Sequence, residues 1–391
     1  MKSGLGIRTQ GGIDEDEEIA CVLLVVMFAV AAQAQDSDKD KLGPYKLLNT
    51  IDVGVLNGFD ISWVDSETGR YYLANRGDGT LTPPVGPSIP VIDTRRNKFL
   101  YPIPLSNAGN GVVAIHRGDD EEEEGPGTLV VGTTPNVGEN SKVLFIDLAH
   151  PFATPFPVST GGNHRADELA YDPLHHIILI ANDQDVPSPF VTFISTETPP
   201  HVIGKIVYDG TNGNPKTTGG IEQPVWNGKT GRFYLAIPAT VAHPSGEVDE
   251  INPTTKKVTR TFATTCHPAG LVLIPGQRLM TSCGDVLEIA NGTVVHTVAG
   301  VGGDEIWFNP GDERVYFGGG TDRISVPVVN ALPPYNVITT LVVGKILTPP
   351  PSHTTHSVAA DRELNRIFVP VSHEGVKVYT DDGDNGEGPD N

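Results

Sequence analysis

The 391-residue chain carries 48 Asp and Glu against 27 Lys and Arg, a formal net charge of -21 at pH 7. That balance excludes a phosphate-backbone surface, which needs clustered Lys and Arg, so no nucleic-acid partner is expected. With 44 Gly, 33 Pro and 38% hydrophobic residues, the composition suits many short strands joined by tight turns better than long helices.

In chain order, an acidic run IDEDEE (13 to 18) precedes an apolar core, IACVLLVVMFAVAAQA (19 to 34). The core has signal-peptide length and is short for a membrane span, and Ala32 and Ala34 fill the small positions of an A-x-A cleavage site. Residues 1-34 are therefore read as a signal peptide, although acids stand where a positive n-region is usual, and 35-44 as a linker. The mature protein is expected to be secreted, periplasmic or extracellular, monomeric, and without a stable membrane span.

From residue 45 a two-strand unit recurs: a short apolar strand, a turn marked by Asp or Asn, and a second apolar strand ending in a small residue. The copies start as FDISWVDSETGRYYLAN (59 to 75), NGVVAIHRGDDEEEEGPGTLVVGT (110 to 133) and ADELAYDPLHHIILIAND (166 to 183). They continue as IEQPVWNGKTGRFYLAIP (221 to 238), PAGLVLIPGQRLMTSC (268 to 283), GDEIWFNPGDERVYFGGG (303 to 320) and HSVAADRELNRIFVPVS (356 to 372). Asp65, Asp172, Asn227, Asn309 and Asp361 each precede by nine positions a small or turn-compatible residue: Ala74, Ala181, Ala236, Gly318 and Pro370.

Third strands follow most copies, as in IPVIDT (89 to 94), KVLFIDL (142 to 148), FVTFIST (190 to 196), GEVDEIN (246 to 252) and DVLEIAN (285 to 291). Fourth strands are readable in HVIGKIVYD (201 to 209), KKVTRTFAT (256 to 264) and VITTLVVGK (337 to 345). Seven units of four strands predict an all-β fold, a single seven-bladed β-propeller over 45-380. The seventh copy stops at its third strand, GVKVYT (375 to 380), so YKLLNTIDV (45 to 53) is expected to complete it and close the ring. The acidic tail, 381-391, is expected to be disordered.

TIDVGVLNGFDISWVDSETGRYYLANRGDG, followed by IPVIDTRRNKF, resembles the YVTN-type repeat of secreted and surface seven-bladed propellers, the YncE-like family. YLAN stands where that family has YVAN, and VIDT matches its third strand. The resemblance covers about residues 45 to 380 and is strongest in blades one, three, four and seven. It implies the fold; propellers of this kind host lactonases, lyases, electron-transfer modules and binding proteins.

In such a ring the first strand of every blade lines the central channel, so residues at the start of those strands converge. Aligned on the turns, that level holds Asp60, Gly111, Asp167, Glu222, Ala269, Asp304 and His356. The next holds Ile61, Val112, Glu168, Gln223, Gly270, Glu305 and Ser357, with Asn110, His164, Arg165 and His267 just upstream. Converging carboxylates repel, and a cation, protonation, or pairing to Arg165, His267 and His356 must offset that. One reading is a metal site: carboxylates alone suit Ca²⁺ or Mg²⁺, and adding a His moves the preference toward Zn²⁺. The other is a polar lining held by backbone N–H groups and water.

His175 and His176 fall in a turn on the far face. His243, His353 and His373 read as loop residues, and Asn75, Asp78, Asn182, Asp183 and Asp185 as turn formers that can rim a pocket. The two cysteines beyond the leader, Cys266 and Cys283, flank a hairpin turning at Pro275-Gly276, and an oxidising compartment favours their pairing as a disulfide.

The chain has no G-x-S-x-G elbow, Walker loop, H-E-x-x-H or haem-attachment motif, so no nucleotide or haem is expected. The leading expectation is a propeller binding a divalent cation, or a small or polymeric ligand, at the channel mouth. The alternative is a metal-dependent hydrolase or lactonase resembling the gluconolactonase propellers. In it Asp60, Glu222, Asp304 and Asn110, with His267 in a zinc version, hold the metal, and Asp167 or Glu168 is the base. Those enzymes have six blades where this chain counts seven. A lyase using His356 or His267, and an interaction module using GDGTLTPPVGPS (77 to 88), complete the set.

Overall fold

The structure, a computed structural model, describes residues 45 to 116 and 126 to 381. The expected signal peptide and linker, the acidic run 118 to 125 and the tail beyond 381 lie outside the described residues. Those described form seven four-stranded antiparallel sheets arranged as a β-propeller. No helix among them is long and apolar enough to cross a membrane.

The inner strands are Gly58–Asp65, Gly109–Ile115, Leu169–Asp172, Pro224–Asn227, Leu271–Ile274, Ile306–Asn309 and Ala359–Asp361. Most end on the Asp or Asn seen in the repeat, and the reason is local. Asp172 Oδ1 accepts the N–H of Leu174 at 2.8 Å, Asn227 Oδ1 that of Lys229 at 3.0 Å, and Asp361 Oδ1 that of Glu363 at 3.0 Å. These Asx turns reverse the chain with a side chain doing the work of a backbone carbonyl.

The ring closes as expected. Lys46–Ile51 pairs antiparallel with Gly375–Thr380, and the sheet order runs from this N-terminal strand inward to Ala359–Asp361. Four strands escaped the sequence reading: the outer strands Lys98–Pro104, Phe156–Ser159 and Thr293–Thr297, and Ser325–Asn330. Each of the outer three leaves more than half of its residues exposed, and a one-sided edge strand needs little apolar content. Ser325–Asn330 is almost wholly buried but contains Pro327, which reads as a strand breaker.

Adjacent blades stack face to face. In blade three, Ile178, Ile180 and Ile194 pack with Val130 and Val143 of blade two, while Leu179 and Phe193 pack with Phe233 and Leu235 of blade four. Both faces of the sheet are covered, which is why IILIAN is an unbroken apolar run rather than an alternating one.

Cys266 and Cys283 form a disulfide, with Cα atoms 6.0 Å apart. The hairpin between them spans Leu271–Ile274 and Arg278–Thr281, so both cysteines sit just outside the paired strands, in the loops at the channel-mouth end. The bridge ties those loops together rather than the ladder itself.

Candidate functional site

The start of each inner strand is anchored by the strand beside it. Asp167, Glu222 and Asp304 donate their N–H groups to the carbonyls of Ala181, Ala236 and Gly318, at 2.8, 2.9 and 3.0 Å. The nine-residue register thus places these acids at equivalent points around the channel. At the next level, that of Glu168 and Glu305, blades two and five carry glycine for a steric reason; the pairing of Val112 with Val131 puts Gly111 there and Asn110, not Gly111, at the level of Asp167. A Cβ on Gly111 would lie 1.9 Å from the Asp167 carbonyl oxygen, and one on Gly270 would lie 2.6 Å from that of Asp304.

Arg165 organises the charged side chains. Its guanidinium lies 2.9 Å from Asp167, 2.7 Å from Asp183 and 3.6 Å from Asp60. Asp60 is also paired with Arg76, and His356 Nε2 lies 3.4 Å from its other oxygen. Arg76 donates in turn to Asn110 Oδ1 at 3.0 Å. The His356 ring stacks on Phe59 with centroids 4.7 Å apart, which holds it against Asp60. Below this layer Glu305 accepts a hydrogen bond from Ser357 Oγ at 2.8 Å, and Ser357 bonds Ser62 at 2.8 Å.

The electrostatics divide the acids. For Asp60, burial raises the pKa, but His356, Arg76 and Arg165 outweigh it and hold the carboxyl below its ordinary value. Asp167 goes the other way: burial and the neighbouring Asp60, Asp183 and Glu222 push it well up despite Arg165. Glu168 is raised by burial and by Glu222, Asp167, Glu305 and Asp304. Glu305 is raised by burial, Asp60 and Asp304, and Glu222 is pushed up to about 8 by burial, Asp183 and Asp304. Asp167 Oδ1, Glu168 Oε2 and Asp183 Oδ1 are buried without a hydrogen-bond partner.

The other sequence candidates lie to the side. His164 is exposed, with its N–H 3.2 Å from Asp185 Oδ2. His267 is exposed and its Nδ1 lies 2.8 Å from the Pro238 carbonyl oxygen. Two central groups were missed or undervalued from sequence. Arg76 follows Asn75 as Asp183 follows Asn182, so the position after the A-N pair of the second strand was the available signal.

Among the described residues, only Asp65, Glu67 and His116 bring three metal-capable atoms within 4.8 Å of one another. They lie at the turn end, away from the channel acids. The 3.0 Å contact between His116 and Asp65 joins blades one and two, as Asn227 to Gln277 and Asn309 to Asn365, both 3.1 Å, join other pairs. A contact that recurs with uncharged partners is a blade-to-blade link.

The chain matches no family model and no curated protein sequence. The fold and the arrangement of the channel residues therefore carry the functional argument.

Proposed function

We propose that the protein is an exported, YVTN-like propeller that binds a cation at the mouth of its central channel. One observation carries this reading: three carboxylate oxygens are buried and unpartnered within a group of seven acids served by two arginines. Buried carboxylates without partners are costly, and a bound positive charge relieves that cost. Export is supported by the disulfide and by the apolar segment 19 to 34.

The ligand set drawn from the lactonase resemblance does not fit as it stands. Asp60 is engaged by Arg76, Arg165 and His356, Asn110 by Arg76, and His267 by a backbone carbonyl. Glu168, Glu222, Asp304 and Glu305 are the acids left to meet a cation, whether a metal ion or an organic ammonium. Asp60, Asp167 and Asp183 hold Arg165 in place.

Calorimetric titration with Ca²⁺, Mg²⁺, Zn²⁺ and putrescine tests this. Wild type is expected to bind at least one, a Glu222→Gln/Asp304→Asn variant to lose about tenfold or more in affinity, and His116→Ala to behave as wild type. No binding of any cation, or equal binding by the double variant, sinks the reading.

A hydrolase or lactonase reading rests on Glu222, a partly exposed acid with a pKa of about 8 and therefore suited to proton transfer near neutrality. A lactone and ester panel, run with and without chelator, decides it. Turnover lost in Glu222→Gln supports it, and an inert panel removes it.

A further inference from the structure

The inner half of the channel, beneath the charged mouth, is a cavity of about 460 Å³ walled by the inner strands of six blades. Its size lies in the range of small-molecule sites, roughly 300 to 1,000 Å³. Trp63, Tyr171, Trp226, Trp307 and Phe308 line it, and the first, third and fourth of these are all the tryptophans in the chain. Each of the five is only partly buried and borders the cavity. Trp63 and Trp307 meet edge to face, with centroids 5.0 Å apart.

The polar groups in the wall decide what the cavity accepts. No Lys, Arg or His lines it, and Glu305 is its single ionisable acid. Gln223 has its Oε1 occupied by the Leu271 N–H at 2.7 Å. Glu305 belongs equally to the acid group above, since it raises the pKa of Glu168 and is itself raised by Asp60 and Asp304. The cavity therefore has aromatic walls and one acidic end that looks toward further acids. Indole faces attract cations, the acid end repels anions, and the aromatic body disfavours small hydrated ions.

We propose that this cavity binds a hydrophobic amine, its ring or branched apolar body among the tryptophans and its ammonium directed at Glu305. The proposal rests on the cation reading of the channel acids and names the class of cation. The ammonium brings a positive charge to the acid group at Glu305, its one member in the cavity wall, and the apolar body fills space that no hydrated metal ion can use.

The tryptophans supply the measurement, because every one of them borders the cavity. Intrinsic fluorescence of the wild-type protein is titrated with three probes of similar shape: phenethylammonium, 2-phenylethanol and 3-phenylpropionate. Saturable change with phenethylammonium is expected, about tenfold tighter than with the alcohol, and none with the carboxylate. Glu305→Gln is expected to bring the amine down to the affinity of the alcohol, while Trp307→Phe, which keeps an aromatic wall, retains the preference. Equal affinity for amine and alcohol, or an amine preference that survives in Glu305→Gln, overturns the proposal. If small cations bind calorimetrically while phenethylammonium does not, this inference falls and the cation reading stands. Failure of both removes the two together.

Discussion

The two halves of the channel are built from the same strands and behave oppositely. At the mouth, Asp60, Asp167 and Glu222 lie at the entrances of inner strands that carry, a few residues on, Trp63, Tyr171 and Trp226. The first half places charges where burial disfavours them and holds them with Arg165 and Arg76. The second is apolar, needs no compensating partner, and leaves room for a ligand. One strand can serve both because its sides are set by blade packing, which leaves the residue types along its length free to change.

The contrast predicts its own largest effect. Arg165→Met leaves Asp60, Asp167 and Asp183 facing one another without their shared cation, and removal of one partner of a buried pair costs about 3 to 5 kcal/mol. Urea unfolding at pH 8 should show that loss, and it should shrink toward pH 5 as Asp167, whose pKa burial and its acidic neighbours raise, takes up its proton. A loss under 1 kcal/mol at pH 8 would mean that Arg165 does not hold the mouth together.

Next in size is the disulfide at the mouth-side loops. Cys266 and Cys283 are 17 residues apart, and opening a loop of that length costs about 3 kcal/mol in the chain-entropy account. Reducing agent, or Cys266→Ser/Cys283→Ser, should lower the melting temperature by several degrees. Two titratable thiols in the unreduced native protein would show that the bridge is absent.

How far all this was visible in the sequence differs between the halves for a physical reason. The blades, the ring closure and the level of Asp60, Asp167, Glu222 and Asp304 follow from a nine-residue register imposed by Asx turns, which is local and therefore readable. Arg76 and Asp183 reach their partners from the ends of second strands, where the A-N pair marks their position in the sequence but not the residues they meet. Gly111 looked like a gap in the acidic ring, but it stands with Gly270 at the level of Glu168, where the backbone of a neighbouring blade leaves no room for a side chain. The aromatic cavity was not read because Trp63 and Trp307 sit two places before their turn residues and Trp226 one, so they form no single aligned column.

The third prediction concerns pH. The Glu222 pKa rises on folding from 4.5 to about 8, so its protonated form is the one the fold favours. That contribution is fully present below about pH 4.5 and is lost as pH climbs through about 8, on the order of a few kcal/mol over the interval. Asp60, with its pKa lowered, works in the opposite sense and loses its contribution only as pH falls below the ordinary carboxylate range. Stability of the ligand-free protein should therefore decline between pH 5 and pH 9, and Glu222→Gln should flatten the decline while matching wild type near pH 5. An unchanged slope in the variant would place the responsible proton elsewhere.

The smallest expected effect belongs to the apolar half and makes the comparison sharp. Val225 is partly buried in the cavity wall, so Val225→Ala removes apolar contact without touching a charge. The loss should be about 1 kcal/mol, in line with about 0.8 kcal/mol per buried methylene at a site already part-exposed. Because the cavity wall has Glu305 as its single ionisable acid and Val225 bears no charge, this loss should be the same at pH 5 and pH 8, where that of Arg165→Met is not. Measured side by side, a pH-independent cost at Val225 and a pH-dependent one at Arg165 would separate the halves by mechanism. A Val225→Ala cost that changed with pH would show instead that the acids of the mouth govern the whole channel.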